Sequence, residues 1–411
     1  MTVNDKELKN VYIIDNNGVK RRIKRIYIGV NGKAKKIADT ISGPHILSEA
    51  HTNLSRARSN LAATSIGDYA LFGGGYSSGL SNVVDAYDTS LVRTTPANLS
   101  QARKDLAATS IGDYALFGGG DVSYSSYYYY SSEVDSYDTS LVRTTPTSLS
   151  SSRSSLVATS IGNYALFGGG YNSSSDTSSF YYSSSVVDAY DTSLVRTTPT
   201  PLSKARCFLA ATSIGDYALF GGGVYYHYSS GSSDSSSVVD AYDTSLVRTT
   251  PTPLSSSRNF LAATSIGNYA LFGGGSDVVD AYDTSLVRTT PTPLSSSRSS
   301  LAATSIGNYA LFGGGYNSKV VDAYDTSLVR TTPTPLSSSR SSLAATSIGN
   351  YALFGGGSDV VDAYDTSLVR TTPTPLSSSR SSLAATSIDN YALFGGGSDV
   401  VDAYSIQKFL V

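Results

Sequence analysis

Three segments of this 411-residue chain consist almost entirely of tyrosine and serine, and they contain the strongest candidates for contacting a ligand. They are residues 121–132, 171–185 and 224–237. Tyrosine offers a large amphipathic surface with few torsions to freeze, and serine and glycine adapt around it, as in antibody paratopes. Tyrosine rings also stack on sugar faces while their hydroxyls hydrogen-bond to sugar hydroxyls. The candidate ligand-binding residues are Tyr124, Tyr127, Tyr128, Tyr129, Tyr130, Tyr171, Phe180, Tyr181, Tyr182, Tyr225, Tyr226, His227 and Tyr228.

Residue types that support catalysis are sparse. The three histidines, His45, His51 and His227, do not form an evident metal-binding set. Eight Gly-Gly-Gly triplets could suggest phosphate binding, but they lack the following Lys-Ser/Thr and a helix, so close backbone packing explains them better. We therefore expect no catalytic residue, no metal and no cofactor. An enzyme with an active site at the molecular axis is the weakest hypothesis.

Two charged residues recur throughout the chain. The arginine of L-S-x-x-R stands at Arg58, Arg103, Arg153, Arg206, Arg258, Arg298, Arg340 and Arg380. The aspartate of V-V-D stands at Asp85, Asp135, Asp188, Asp240, Asp280, Asp322, Asp362 and Asp402. A ring of either residue could bind one ligand at a central axis. A residue that serves one asymmetric ligand need not recur eight times, so ion pairs or hydrogen bonds to loop backbone are the favoured interpretation.

The recurring residues belong to a unit of roughly 40 residues, which predicts a repeat fold. In the sixth unit, short apolar runs cover 301–306, 309–312, 320–324 and 328–332, separated by turn residues and ended by Pro333. The unit lacks helical periodicity over ten residues. Four short antiparallel strands per unit, repeated radially, predict an all-β propeller with eight four-stranded blades.

The repeat resembles the Kelch family over about residues 46–411. The resemblance rests on a Gly-Gly pair after an apolar strand and on the Tyr-Asp pair inside V-V-D-A-Y-D. Kelch units usually carry a tryptophan in the fourth strand, and here residues 286–288, Leu-Val-Arg, occupy that place. The resemblance implies a divergent Kelch-type β-propeller.

The last unit lacks its fourth strand, because residues 405–411 depart from the repeat. Residues 46–50 align with the missing strand and would close the ring by pairing both ends of the chain in one sheet, which leaves no open edge. The tail 406–411 competes for the same place, and we favour the N-terminal closure.

The Tyr/Ser segments lie between the second and third strands of blades two, three and four. From blade one to blade eight this loop has 7, 12, 15, 14, 2, 4, 2 and 2 residues. The long loops should therefore stand together on one face. Such runs can also arise by replication slippage and persist as decoration, because exposed loops tolerate insertion. Their clustering in neighbouring blades favours binding.

Residues 1–40 form a separate module, and residues 41–411 form the propeller. Residues 11–14 and 19–23 flank Asn17-Gly18, and residues 26–28 and 33–37 flank Asn31-Gly32, which predicts two β-hairpins. The stretch R-I-Y-I-G-V-N-G-K-A-K-K-I resembles short modules in tail and other structural proteins of bacteriophages and prophages of Gram-positive hosts, which implies attachment to a virion or partner assembly. Residues 1–38 carry a net charge of +7 and the remainder −9. Because the basic residues alternate with apolar ones around turns, we expect a solvated hairpin face and no nucleic-acid binding.

The favoured hypothesis is a non-enzymatic, phage tail-associated receptor-binding protein that presents the Tyr/Ser loops to a host surface glycan or protein. The alternative is a bacterial intracellular Kelch scaffold that binds another protein by the same face. Residues 1–10 are polar, and apolar runs of membrane-spanning length are lacking. We therefore expect synthesis in the bacterial cytoplasm without a signal peptide, no membrane insertion and a final location in the virion. The single cysteine, Cys207, is expected to be a partly buried structural residue.

Overall fold

The protein is an all-β, eight-bladed propeller. The computed structural model describes residues 52–123, 129–173, 181–226 and 232–407, together with the strands 11–14, 20–23, 25–30, 33–39 and 45–49. Eight four-stranded antiparallel sheets follow one another along the chain. The first strand of every blade contacts the first strands of both neighbours, including blade eight with blade one. The sheets therefore form a closed ring with the first strands around the axis, as the repeat predicted.

The strands recur with nearly constant bounds. The first strands are Ala62–Ile66, Ala107–Ile111, Val157–Ile161, Ala210–Ile214, Leu261–Ile266, Ala302–Ile306, Ala344–Ile348 and Ala384–Ile388. The second strands are Tyr69–Gly73, Tyr114–Gly118, Tyr164–Gly168, Tyr217–Gly221, Tyr269–Gly274, Tyr309–Gly313, Tyr351–Gly355 and Tyr391–Gly395. The third strands are Val84–Tyr87, Val134–Asp138, Val187–Asp191, Val239–Asp243, Val279–Asp283, Val321–Asp325, Val361–Asp365 and Val401–Gln407. The fourth strands are Arg93–Thr94, Arg143–Thr144, Arg196–Thr197, Arg248–Thr249, Arg288–Thr289, Arg330–Thr331, Arg370–Thr371 and, in blade eight, His45–Glu49.

The outer strand is shorter than the apolar pattern predicts. In blade six the sequence predicts a strand over 328–332, but only Arg330–Thr331 pairs with the third strand. Leu328 has a φ of 60° and donates its N–H to the carbonyl of Asp325 at 2.9 Å. The Asp325 side chain accepts the N–H groups of Ser327 and Val329, both at 2.9 Å. This local aspartate turn satisfies the backbone in place of two further ladder positions.

Neighbouring blades are held by one packing unit that explains the glycine triplets. A Cβ on Gly313, at the end of a second strand, would lie 2.6 Å from the ring of Phe354 in the next blade. Gly314 has a φ of 67° and approaches the Arg340 carbonyl of that blade. The phenylalanine ring packs edge to face on Tyr364, which reaches back to the Thr334 carbonyl at 2.7 Å. The triplet therefore provides close inter-blade packing.

The chain termini contribute one sheet and two further strand pairs. His45–Glu49 is the fourth strand of the eighth sheet, which confirms the N-terminal closure, and residues 406–407 extend the third strand. The strands Val11–Ile14 and Lys20–Ile23 pair antiparallel, as do Arg25–Val30 and Lys33–Asp39. The two predicted Asn-Gly turns lie outside the described residues. The chain divides into two compact units, 48–405 and 1–47 with 406–411, and the proposed module boundary at residue 40 stays a prediction.

Candidate binding face

The loops between second and third strands share one face with the segments that connect successive blades. We call it the loop face. Backbone bridges join the two kinds of segment in blades one to four: Ser59 to Tyr76, Lys104 to Asp121, Ser154 to Tyr171 and Cys207 to Val224. In these four blades the base of each loop therefore lies beside the Leu-Ser-x-x-Arg connection, as the sequence predicts for the Tyr/Ser segments.

The structure describes about half of the predicted binding residues. Side chains are described for Tyr129, Tyr130, Tyr171, Tyr182, Tyr225 and Tyr226. For Tyr181 only the strand is described. Tyr124, Tyr127, Tyr128, Phe180, His227 and Tyr228 lie outside the described residues. The proposal that these residues form one contact patch stays a prediction.

The loops of blades three and four begin as β-hairpins that lie side by side. In blade three, Tyr171–Ser173 pairs with Tyr181–Ser183, and in blade four Val224–Tyr226 pairs with Ser233–Ser235. The Ser183 hydroxyl donates to the Val224 carbonyl at 3.1 Å and accepts the Tyr226 N–H at 3.2 Å. The buried Ser183 thus joins the two hairpins across the blade boundary.

Four aromatic rings form a continuous cluster beside these hairpins. We call Tyr171, Tyr226, Phe208 and Phe260 the aromatic cluster. The Tyr171 ring lies 5.5 Å from Tyr226 and 5.3 Å from Phe208, and Phe208 lies 4.7 Å from Phe260. Burial, followed by the hydrogen bond with Tyr226, raises the pKa of Tyr171. The cluster therefore spans blades three, four and five, and the hydroxyl of the half-buried Tyr171 stays neutral.

The two phenylalanines are members that sequence reasoning missed. Phe208 and Phe260 occupy the position two residues after the recurring arginine, where blades six to eight have serine. That departure from the repeat is the signal that could have identified them. Cys207, next to Phe208, is completely buried and contacts Ser183 at 3.8 Å. Burial raises the pKa of the Cys207 thiol to about 11, which fits an inert packing residue.

The blade-two loop is anchored in a different way. Tyr129 accepts the Val122 N–H at 2.9 Å through its carbonyl and donates its own N–H to the Ser123 hydroxyl at 2.9 Å. Its side chain is 59% exposed, and Tyr130 bridges to Asp121. The tyrosine therefore stands outward from a hydrogen-bonded loop base, where it can contact a partner.

Lysine side chains cover two other tyrosine rings of the loop face. The Lys104 ammonium lies 5.5 Å from the ring centre of Tyr76, and the Lys204 ammonium lies 5.4 Å from that of Tyr225. Such cation–π contacts are weak attractions between the ammonium group and the face of the ring, and they help to fix the position of the ring. The loop face therefore combines aromatic rings with positive charge in blades one, two and four.

The recurring arginine and aspartate form a buried ion pair with each other in each blade. Arg58 donates to Asp85 at 2.5 Å and to the Val83 carbonyl at 2.5 Å, and Asp85 also accepts the Ser55 N–H at 3.1 Å. Burial lowers the pKa of the Arg58 guanidinium, and Asp85 opposes that shift. The eight pairs are Arg58–Asp85, Arg103–Asp135, Arg153–Asp188, Arg206–Asp240, Arg258–Asp280, Arg298–Asp322, Arg340–Asp362 and Arg380–Asp402. These residues fasten each incoming connection to the sheet it enters.

The described part of the chain lacks an evident metal site and a membrane-spanning helix. No group of three or more His, Cys, Asp or Glu side chains there is arranged to hold a metal ion. His51 and His227 lie outside the described residues, and His45 belongs to the closing strand. Among the described residues, no helix has the length and apolar character needed to cross a membrane.

Comparison with known proteins adds support for the fold. No family model and no curated protein matches this sequence. The solved structure of YjhT aligns with 69% of this chain and 99% of its own length, at 13% identity and a TM-score of 0.50. The computationally designed protein Ika8 aligns with 86% of this chain and 98% of its own length, at 11% identity and a TM-score of 0.59. At these identities the likeness concerns the propeller fold alone.

Proposed function

We propose that this protein is a non-enzymatic binding protein that uses the loop face of blades two to four to hold a host surface glycan or protein. The observation that supports the proposal most directly is the aromatic cluster with its two joined hairpins. It arises where the long loops of blades three and four meet the phenylalanine-containing connections of blades four and five. Tyrosine and phenylalanine supply much contact area for little side-chain entropy, which suits a binding surface.

The frame beneath this surface is independent of it. The eight Arg–Asp pairs and the inter-blade Phe–Tyr contacts recur in blades with long loops and in blades with two-residue loops. Because the contacts of the scaffold are complete without the long loops, the length and sequence of those loops can vary to fit a partner. The repeated charged residues are engaged in structural pairs, which favours binding over catalysis as the role of the loop face.

The direct test replaces the three long loops, 121–132, 171–185 and 224–237, with the Ser-Asp linker of blade five. Each interface aromatic of the hot-spot kind contributes about 2 kcal/mol. Adsorption of the purified full chain to intact Gram-positive host cells should therefore fall at least ten-fold, while the melting temperature stays within a few degrees. Equal adsorption by the two proteins would refute the proposal for this face.

The Kelch relationship and the phage tail assignment are the finer parts of the proposal. The Gly-Gly and Tyr-Asp pairs of the repeat support the first, and the likeness of residues 25–37 to tail modules supports the second. Deleting residues 1–40 should abolish incorporation into phage particles and leave cell adsorption by the propeller unchanged. Normal incorporation of the shortened protein would show that residues 1–40 are not the attachment module. Absence of the full-length protein from phage particles would favour the alternative, an intracellular Kelch scaffold.

A further inference from the structure

One residue of each blade lies at the mouth of the axis on the loop face. It stands two positions after the recurring arginine and has a φ between 50° and 54° in all eight blades. We call these residues the axial ring: Asn60, Asp105, Ser155, Phe208, Phe260, Ser300, Ser342 and Ser382. Hydrogen bonds join the backbones of several neighbouring members. The N–H groups of Asn60, Asp105 and Ser155 donate to the carbonyls of Ser382, Asn60 and Asp105 at 3.2, 3.1 and 3.2 Å, and that of Ser300 donates to Phe260 at 3.0 Å.

The eight members of the axial ring share one backbone conformation, but their side chains differ between blades. Serine stands in blades three, six, seven and eight, but asparagine, aspartate and two phenylalanines stand in the others. A left-handed conformation is common for asparagine and aspartate and unfavourable for a bulky phenylalanine. Phe208 and Phe260 both have a φ of 50°. The surrounding structure imposes this conformation in every blade but does not require phenylalanine, so the two rings stand where the backbone makes them costly.

The polar half of the axial ring surrounds a cavity. A space of about 370 Å³ opens between Asn60, Asp105, Ser155 and Ser382, with the leucine that follows each of them as apolar lining. This volume falls within the range of small-ligand pockets, and the space is wide open to solvent, so it can receive the end of a longer molecule. The cavity is lined by one carboxylate, one amide and two hydroxyls, a set that can both donate to and accept from neutral polar groups.

Two neighbouring members of the opposite half of the axial ring, Phe208 and Phe260, are aromatic, and its other two members are serines. Phe208 and Phe260 stack at 4.7 Å with an interplanar angle of 32°, and Phe260 is 44% exposed. Tyr171 and Tyr226 extend this wall outward into the long-loop hairpins. The mouth of the axis therefore offers hydrogen-bonding groups on one side and flat aromatic surface on the other.

The charges at the mouth restrict the class of ligand. Asp105 is the one charged side chain among the eight cavity-lining residues, and it would repel a phosphate or a carboxylate. Lys104 lies 4.0 Å from Asp105 and 3.4 Å from Asp121, so a cationic ligand would compete with a lysine already in place. A saccharide matches both halves, because its hydroxyls suit Asp105 and Asn60 while its C–H face suits an aromatic ring.

We infer that the axial ring binds a neutral saccharide terminus, with Asn60 and Asp105 holding its hydroxyls and Phe208 and Phe260 contacting its C–H face. The inference rests on the proposed function and names the ligand class for the centre of the same face. The Tyr/Ser loops then extend contact to neighbouring sugars or to the carrier.

The chain itself supplies substitutions that its backbone tolerates. Asp105→Ser and Phe260→Ser each place at the axial ring the residue that blades six to eight already have there. The probe is an array of neutral hexose and N-acetylhexosamine oligosaccharides, and the protein is the full chain. Tyr316→Ser is the matched control, because Tyr316 is 71% exposed on the loop face of blade six and lies outside the axial ring.

The expected result is that the wild type binds a subset of the neutral oligosaccharides. Each axial variant should lose affinity ten-fold or more at a melting temperature within a few degrees of the wild type, and the affinity of the control should stay within two-fold. Wild-type binding that the axial variants keep would overturn the inference, as would the absence of binding to every neutral oligosaccharide. Acidic oligosaccharides are the competing probe: stronger binding to them that falls steeply between 0.1 M and 0.5 M salt would indicate a charged ligand and would also overturn the inference.

The loop-replaced protein separates this inference from the proposed function. Loss of cell adsorption on loop replacement, together with unchanged glycan binding by the axial variants, would leave the proposed function standing and remove the saccharide site. Unchanged adsorption on loop replacement, with loss of glycan binding in the axial variants, would remove the role of the loops and keep the saccharide site.

Discussion

Blades three and four and blades six to eight are built on the same sheets but differ on one face. Both regions have the buried Arg–Asp pair, the Phe–Tyr contact and the glycine triplet in the same register. Only the first region has hairpin loops and phenylalanine at the axial ring. The comparison separates two classes of position: those that recur hold the ring together, and those that depart from the repeat are available for a ligand.

The largest expected effect tests whether the two regions share one frame. Asp322→Asn removes the charge opposite the buried Arg298 in blade six, and breaking such a pair costs about 3–5 kcal/mol. Asp188→Asn in blade three should cost the same within about 1 kcal/mol. Guanidinium-induced unfolding monitored by circular dichroism measures both losses.

Arg330→Ala is the control, because Arg330 is the second, more exposed cation beside the same Asp322 carboxylate. The Arg330 side chain is 26% exposed, with its Nε 3.8 Å from Asp322, so Arg330→Ala should cost about 1 kcal/mol or less for the loss of the ion pair. A loss below 1 kcal/mol in Asp322→Asn, or a large difference between the two aspartate variants, would contradict the idea of a common frame.

The next effect tests the inter-blade packing. Gly313→Ala would place a methyl group 2.6 Å from the Phe354 ring, and overpacking of this kind costs about 1–3 kcal/mol. Gly79→Ala, in the blade-one loop, has no atom within 4 Å of the added carbon and should be nearly neutral. Thermal unfolding of the two variants provides the measurement. Equal melting temperatures would show that the triplet is not required for close packing.

A smaller effect tests the aromatic cluster. Phe208→Ser and Phe260→Ser should show a coupling energy of about 0.5–1.5 kcal/mol in a double-mutant cycle, because their rings are in contact. Phe208→Ser combined with Tyr316→Ser should be additive within about 0.5 kcal/mol, since Tyr316 lies two blades away. Additivity in the first cycle would mean that the cluster is not energetically connected.

The smallest effect concerns the charge at the axial ring. Burial raises the pKa of Asp105, so the folded protein favours its protonated form more than the unfolded chain does. The contribution of the protonated Asp105 carboxyl to folding stability is complete below the pKa of the unfolded chain, near 3.9. It is lost as the pH rises through the pKa of the folded protein. Asp105→Asn should therefore melt slightly above the wild type at pH 7, by about 0.5 kcal/mol or less in stability. This difference should disappear near pH 4; a difference that grows on acidification would contradict the sign.

Much of the fold could be predicted because the repeat is dictated by local chemistry. Alternating apolar runs, Gly-Asn turns and proline breaks specify four strands per unit, and eight units with a displaced closing strand specify the ring. The fourth strand was predicted too long, because Leu328 is apolar yet sits in a left-handed turn imposed by Asp325. Hydrophobicity alone does not distinguish a leucine in a strand from a leucine held in such a turn.

The candidate site was predictable only in part. Tyrosine-rich composition identified the loops, of which the described residues Tyr171 and Tyr226 belong to the aromatic cluster. Phe208 and Phe260 were missed because they belong to connections that look structural in every other blade. Their rings meet because consecutive blades pack side by side, which brings residues about one repeat apart to within contact distance.

The sequence by itself determined the number of blades, the strand order in each sheet and the structural use of the recurring arginine and aspartate, because these follow from a pattern repeated within short stretches of chain. Only the tertiary structure decided which departures from the repeat meet. Eight separate connections converge at one axis, so Asn60, Asp105, Phe208 and Phe260 become parts of one surface. Packing between blades, which no single unit encodes, creates that convergence.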